Sequence, residues 1–156
     1  MNARSVALVA LAVATGTVGG IFFAFSNFVM PALARVPAST GAVAMRSINV
    51  TAVNPLFMTL LFGAGLGGIA FSLASLGSLE TSRGRWALAG TVVYVLGTVV
   101  VTIACNVPRN EALSAMSIDD ATTYWSRYLA EWTSYNHVRT VASIVASGCY
   151  LLARGE

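Results

Sequence analysis

The sequence predicts an all-α, integral membrane four-helix bundle, with an additional short amphipathic helix between spans three and four. Three observations lead there. The chain of 156 residues is 56% hydrophobic and only 10% charged, whereas a soluble domain carries about 25% charged residues. Four segments, 5–33, 50–79, 86–106 and 133–153, each reach the roughly 20 apolar residues that cross a bilayer. Polar side chains gather at the breaks between them, and more at one end than the other. Residues 1–156 read as a single membrane domain.

The first span begins behind Arg4. Ala12-Val13-Ala14 imitates a cleavage site, but the apolar run reaches Phe28, far beyond a signal core of about 7–15 residues, so an uncleaved span is expected. Pro31, Arg35 and Pro37 end it. Gly16 and Gly20 here, and Gly63 and Gly67 in the second span, form GxxxG pairs, with Ala64 and Gly68 as a further small pair; such faces let helices approach closely. Glu80, Arg83, Gly84 and Arg85 make a tight turn before the third span. Pro108 is expected to close that span, because proline cannot continue the backbone ladder. In the connector from Glu111 to Glu131, Ile118-Asp119-Asp120 looks like a helix start, with acids near the positive dipole end. Leu113, Met116, Tyr124, Trp125, Tyr128 and Leu129 then give it the spacing of a short amphipathic helix lying across the bundle at interfacial depth.

The net charge of +3 comes from nine scattered arginines and no lysine, which argues against nucleic acid and acidic partners. Cys105 and Cys149 fall toward opposite faces of the bundle, so they read as small core residues rather than a disulfide or metal ligands. No glycine-rich strand–helix turn and no second histidine are present, so neither a cofactor nor a metal is expected. The expected setting is the cell membrane, crossed several times. The expected partners are the lipid bilayer and a lipophilic small molecule, with self-association left open.

Alternating spans bring one set of ends to a shared face. That face collects Asn27, Arg35, Arg46, Asn49, Asn54, Asn106, Arg109, Asn110, Trp132, Asn136, His137 and Arg139. The other receives Arg4, Glu80, Arg83, Arg85, Arg154 and Glu156. One polar pocket explains the segregation. In the fourth span Trp132, Asn136, Arg139 and Ser143 recur at i, i+4, i+7 and i+11, a single helical stripe. His137, the only imidazole, lies about 100° round from Asn136, and Arg139 lies roughly 9 Å into the span. Ionisable groups at such depth mark functional sites. Structural readings stand beside this one: asparagines as caps and backbone partners, arginines as headgroup contacts, tryptophans as an interfacial belt.

Several motifs resemble the anthrone oxygenase-like family of small four-span membrane proteins, much of it known only as a domain of unknown function. They are Phe25-x-x-Phe28-Val29-Met30-Pro31-Ala32-Leu33, Met45-x-x-Ile48-Asn49, Asn106-x-Pro108-x-Asn110, and Trp132-Thr133-x-x-Asn136-His137-x-Arg139-Thr140. The resemblance covers nearly the whole chain. It departs at Arg46, where the family usually has glutamine, and at Tyr135, where it has tryptophan. It implies oxidation of a polycyclic anthrone to a quinone by O2 without a cofactor. His137 would then be the general base, and Arg139 or Asn136 would hold the enolate oxygen. Tyr128, Trp132 and Tyr135 would stack on the rings, beside Asn49, Asn106 and Asn110. The same residues suit a non-enzymatic protein that binds a lipophilic or quinone-like ligand, or an accessory subunit, and the sequence leaves both classes open.

Overall fold

Asn2, Asn54, Thr81 and Ser117 each accept the backbone N–H three residues ahead, at 2.9, 3.0, 3.1 and 3.1 Å. Each is a helix N-cap, worth about 1 kcal/mol. With them the computed structural model, which describes residues 2–155, divides into five helices: α1 (Ala3–Leu33), α2 (Ala38–Ala52), α3 (Pro55–Ala74), α4 (Ser82–Ala115) and α5 (Ile118–Gly155). No strand occurs among the described residues. Residues 1 and 156, the ends of the expected domain, lie outside them.

Helix α5 runs between α1 and α4, and α3 closes the ring against both. Their outer faces are apolar: Val13, Leu66, Leu96, Val141 and Leu152 are all exposed, as lipid-facing side chains would be. By length and composition α1, α3 and α4 can each cross a membrane. Helix α5 is long enough but does not qualify, because Asn136, His137 and Arg139 make its sequence too polar.

Three expectations about the connections are corrected. The connector is no separate helix: α5 is one rod of 38 residues, about 57 Å long at 1.5 Å per residue. Nothing breaks it, since it contains no proline and its buried face runs from Trp125, Tyr128 and Trp132 into Asn136 and Arg139 without a change of phase. The additional short helix lies instead between the first two spans, as α2, packed on the N-terminal part of α5. The second span therefore starts at Pro55, behind the Asn54 cap, rather than at residue 50. Lastly, Pro31 and Pro108 sit inside helices. A π turn precedes each, over Phe25–Val29 and Thr102–Asn106; the extra residue in the turn gives the ring room against the carbonyl behind it.

A further π segment covers Val95–Val100, and the windings of α4 alternate for a reason visible in its sequence. Tyr94, Thr98, Thr102 and Asn106 recur every fourth residue and are all buried. In a pure α-helix an i, i+4 row drifts about 40° per step. Wider π turns drift the other way, so the alternation keeps the row facing the bundle interior. Close approach also depends on glycine. A Cβ at Gly97 would collide with that of Ala142, and one at Gly68 would lie 2.5 Å from the Tyr150 hydroxyl. The GxxxG pairs are used unevenly: Gly16 meets Ser147 and Gly67 meets Leu11, while Gly20 faces open space and Gly63 touches only Thr59 of its own helix.

At the end of the bundle holding the tight turn, the Thr91 hydroxyl lies 2.9 Å from those of Ser72 and Tyr150, and 3.1 and 3.0 Å from the Gly68 and Ala87 carbonyls. Tyr94 donates to the Leu61 carbonyl at 3.0 Å, and Arg83 to that of Ala153 at 3.0 Å. Both cysteines are free.

Candidate functional site

The other end holds a cavity of ≈ 530 Å³, within the range that small-molecule sites occupy. Phe22 and Phe25 of α1, Ile48 and Asn49 of α2, Phe57 and Met58 of α3, Thr102 and Asn110 of α4, and Trp132 and Arg139 of α5 all line it. All five helices contribute, and the walls are mainly apolar and aromatic.

Among the described residues Arg139 is the only charged one that lines the cavity, and it is 4% exposed. Its Nη2 donates to Asn136 Oδ1 at 2.7 Å and its Nη1 to Thr102 Oγ1 at 3.3 Å. The guanidinium stacks 4.0 Å from the centroid of the Phe22 ring and 5.1 Å from that of Trp132. Among the described residues no carboxylate pairs with it, and its Nε has no partner at all. A buried cation without a counter-charge is costly unless something anionic completes the site. Asn136 holds the arrangement: its Nδ2 donates to the Phe22 carbonyl and the Ser26 hydroxyl of α1, both at 2.7 Å.

A second polar group sits at the indole edge of Trp132. Asn110 Oδ1 accepts from Trp132 Nε1 at 2.9 Å and from the Tyr128 hydroxyl at 2.8 Å. That hydroxyl in turn accepts from Asn49 Nδ2 at 3.4 Å. Burial holds the Tyr128 phenol above its usual pKa, so it keeps its proton. Trp125, Tyr128 and Trp132 form a stacked column beneath α2, with centroids 5.6 and 6.5 Å apart.

The residues singled out in the sequence therefore divide. Asn49, Asn110, Trp132 and Arg139 line the cavity. Asn136 and Tyr128 stand behind and position them. Asn106 is also behind, donating to the Trp132 carbonyl at 3.2 Å with its Oδ1 left unpaired. Tyr135 lies outside the cavity, under the Arg109 guanidinium at 4.4 Å. His137 is not brought to the cavity: it is exposed, on the outward face of α5 with Val141 and Ile144. One helical step of 100° separates it from Asn136, enough to turn it away.

Other roles were not foreseen. Arg109 pairs with Glu131 at 2.9 Å rather than with headgroups, and Arg127 shares that carboxylate at 2.7 Å; the hydrogen bond from Arg127 is the main reason Glu131 is held below its usual pKa. Arg46 caps the end of α4 through the Leu113 and Met116 carbonyls at 2.9 and 2.8 Å. Phe22, Phe57 and Thr102 joined the cavity unannounced. The every-fourth-residue row on α4 was the available signal for Thr102; the two phenylalanines had none beyond being apolar.

Neither a curated protein nor a solved structure matches the chain. The family described as anthrone oxygenase matches residues 22–149, which contain every cavity-lining residue but Ile21. With most of its length matched in this way, the chain belongs to the anthrone oxygenase family.

Proposed function

We propose that the protein spans the cell membrane with α1, α3, α4 and α5, and oxidises a flat, lipophilic anthrone in the cavity to the quinone. The balanced reaction takes one anthrone and one O2 to one anthraquinone and one water. A proton leaves the methylene across the central ring from the ketone, the resulting enolate passes an electron to O2, and the radical pair joins as a peroxide on that carbon. Loss of water across that carbon gives the second carbonyl. The observation that carries the reading is the uncompensated guanidinium of Arg139 in an aromatic cavity. It is a site for an enolate oxygen, where charge appears only as the reaction proceeds.

Among the described residues no carboxylate or imidazole lines the cavity. In this reading Arg139 makes the bound anthrone more acidic, and water takes the proton. The missing base also favours a second reading, a protein that binds a quinone-like ligand without turning it over. Purified protein in detergent, given an anthrone in air, separates them through oxygen uptake and the quinone chromophore. The enzyme reading requires one O2 consumed per quinone, at a rate proportional to protein and lost in Arg139→Met. Saturable binding with no quinone formed above the spontaneous rate would reject it in favour of the binder.

A further inference from the structure

The indole N–H of Trp132 can only donate, and it fixes the polarity of every group in the chain that starts from it. Facing that donor, Asn110 must present its oxygen, so the usual ambiguity between amide oxygen and nitrogen does not arise. The Tyr128 hydroxyl, 2.8 Å from the same oxygen, must then spend its proton there. It can accept but not donate toward Asn49, so Asn49 must turn its nitrogen to Tyr128. Two atoms are left over, Asn110 Nδ2 and Asn49 Oδ1. Neither has a partner among the described residues, neither is a closed-off buried atom, and both residues line the cavity.

We infer that Asn110 and Asn49 form a specificity element that reads a hydroxyl group on the ligand, one amide donating to its oxygen and the other accepting its proton. Trp132 and Tyr128 are its positioning residues. A bare ring or an ether oxygen satisfies at most one of the two amides and leaves the other desolvated, which is where discrimination against analogues arises. The element lies at the indole edge of Trp132, while Arg139 lies over its ring, so the cavity grips an oxygen-bearing ring system at two separate places.

This rests on the cavity being the ligand site, and its test is independent of turnover. A monohydroxyanthraquinone and its methyl ether are compared by equilibrium dialysis against the detergent-solubilised protein. The hydroxy compound should bind about three- to tenfold more tightly, the span that one hydrogen bond commands. Trp132→Phe keeps a ring and removes the N–H that sets the polarity, so the ratio should fall to about one. Asn49→Leu, on a half-buried face of α2, should do the same and serves if Trp132→Phe does not fold. Equal binding of both probes by the unaltered protein overturns the element while leaving the cavity reading intact. So does a ratio that survives Trp132→Phe or Asn49→Leu. If neither probe binds, the cavity reading falls and the element with it.

Discussion

Buried polar groups occur at both ends of the bundle, but they are treated differently. Around Thr91 every hydroxyl finds another hydroxyl or a carbonyl, and no side-chain atom is left unpaired. Around Arg139 the accounts stay open: its Nε and Asn106 Oδ1 lack partners, and a charge is buried with no opposite charge nearby. A closed network holds helices together; an open one beside a cavity leaves its polar groups short of partners within the fold. The same composition of amides, hydroxyls and aromatics thus does structural work at one end and is free for binding at the other.

Substitutions at the two ends should separate activity from stability. Arg139→Met should lower turnover about 10²–10³-fold, the usual loss for an oxyanion donor. It should leave thermal stability equal or higher, because an uncompensated buried charge is removed. A matching fall in melting temperature would make Arg139 a structural residue and erase the contrast. Thr91→Val should do the reverse, costing about 1–3 kcal/mol through the unpaired groups it leaves, with activity in the folded fraction retained. Denaturation in mild detergent measures the first and quinone formation the second.

Smaller effects sharpen the boundary of the site. Glu131 titrates below its usual range because Arg127 and Arg109 bond its charged form. Its contribution is therefore complete above the ordinary carboxylate pKa and is lost as pH falls through the lowered one. The difference in melting temperature between the native chain and Glu131→Gln should accordingly persist below pH about 4 and then vanish. His137→Ala should change turnover less than about twofold, against the 10²–10⁴-fold expected of a general base. A larger loss in a folded variant would return His137 to the mechanism.

Much of this was readable in advance, and the failures have physical causes. The helical class, three of the apolar segments and the inward stripe of Trp132, Asn136, Arg139 and Ser143 followed from hydropathy and a period of 3.6. That stripe extends unbroken from Ala121 to Ala153, and following its phase backward would have joined the connector to the fourth span. Polarity alone suggested a boundary where the backbone has none. The prolines misled because a π turn, which no local propensity announces, reopens the ladder for them. His137 misled because a residue type was weighed before its angle: one step from Asn136 it faces outward.

Helix α5 is the least apolar member of the bundle and the last to be made, yet the other helices close around it. Its arginine is sheltered by Phe22 of α1 and Thr102 of α4, neither of which exists as shelter until those helices are in place. In the four-span arrangement proposed above, entry of α5 into the bilayer is a late step that depends on helices already inserted, since an arginine at such depth is costly alone. That arrangement makes the cavity its own checkpoint: a chain that fails to assemble α1 and α4 would leave α5 outside the membrane. An insertion reporter placed behind α5 should register efficient entry with α1–α4 upstream and poor entry when α5 is presented by itself.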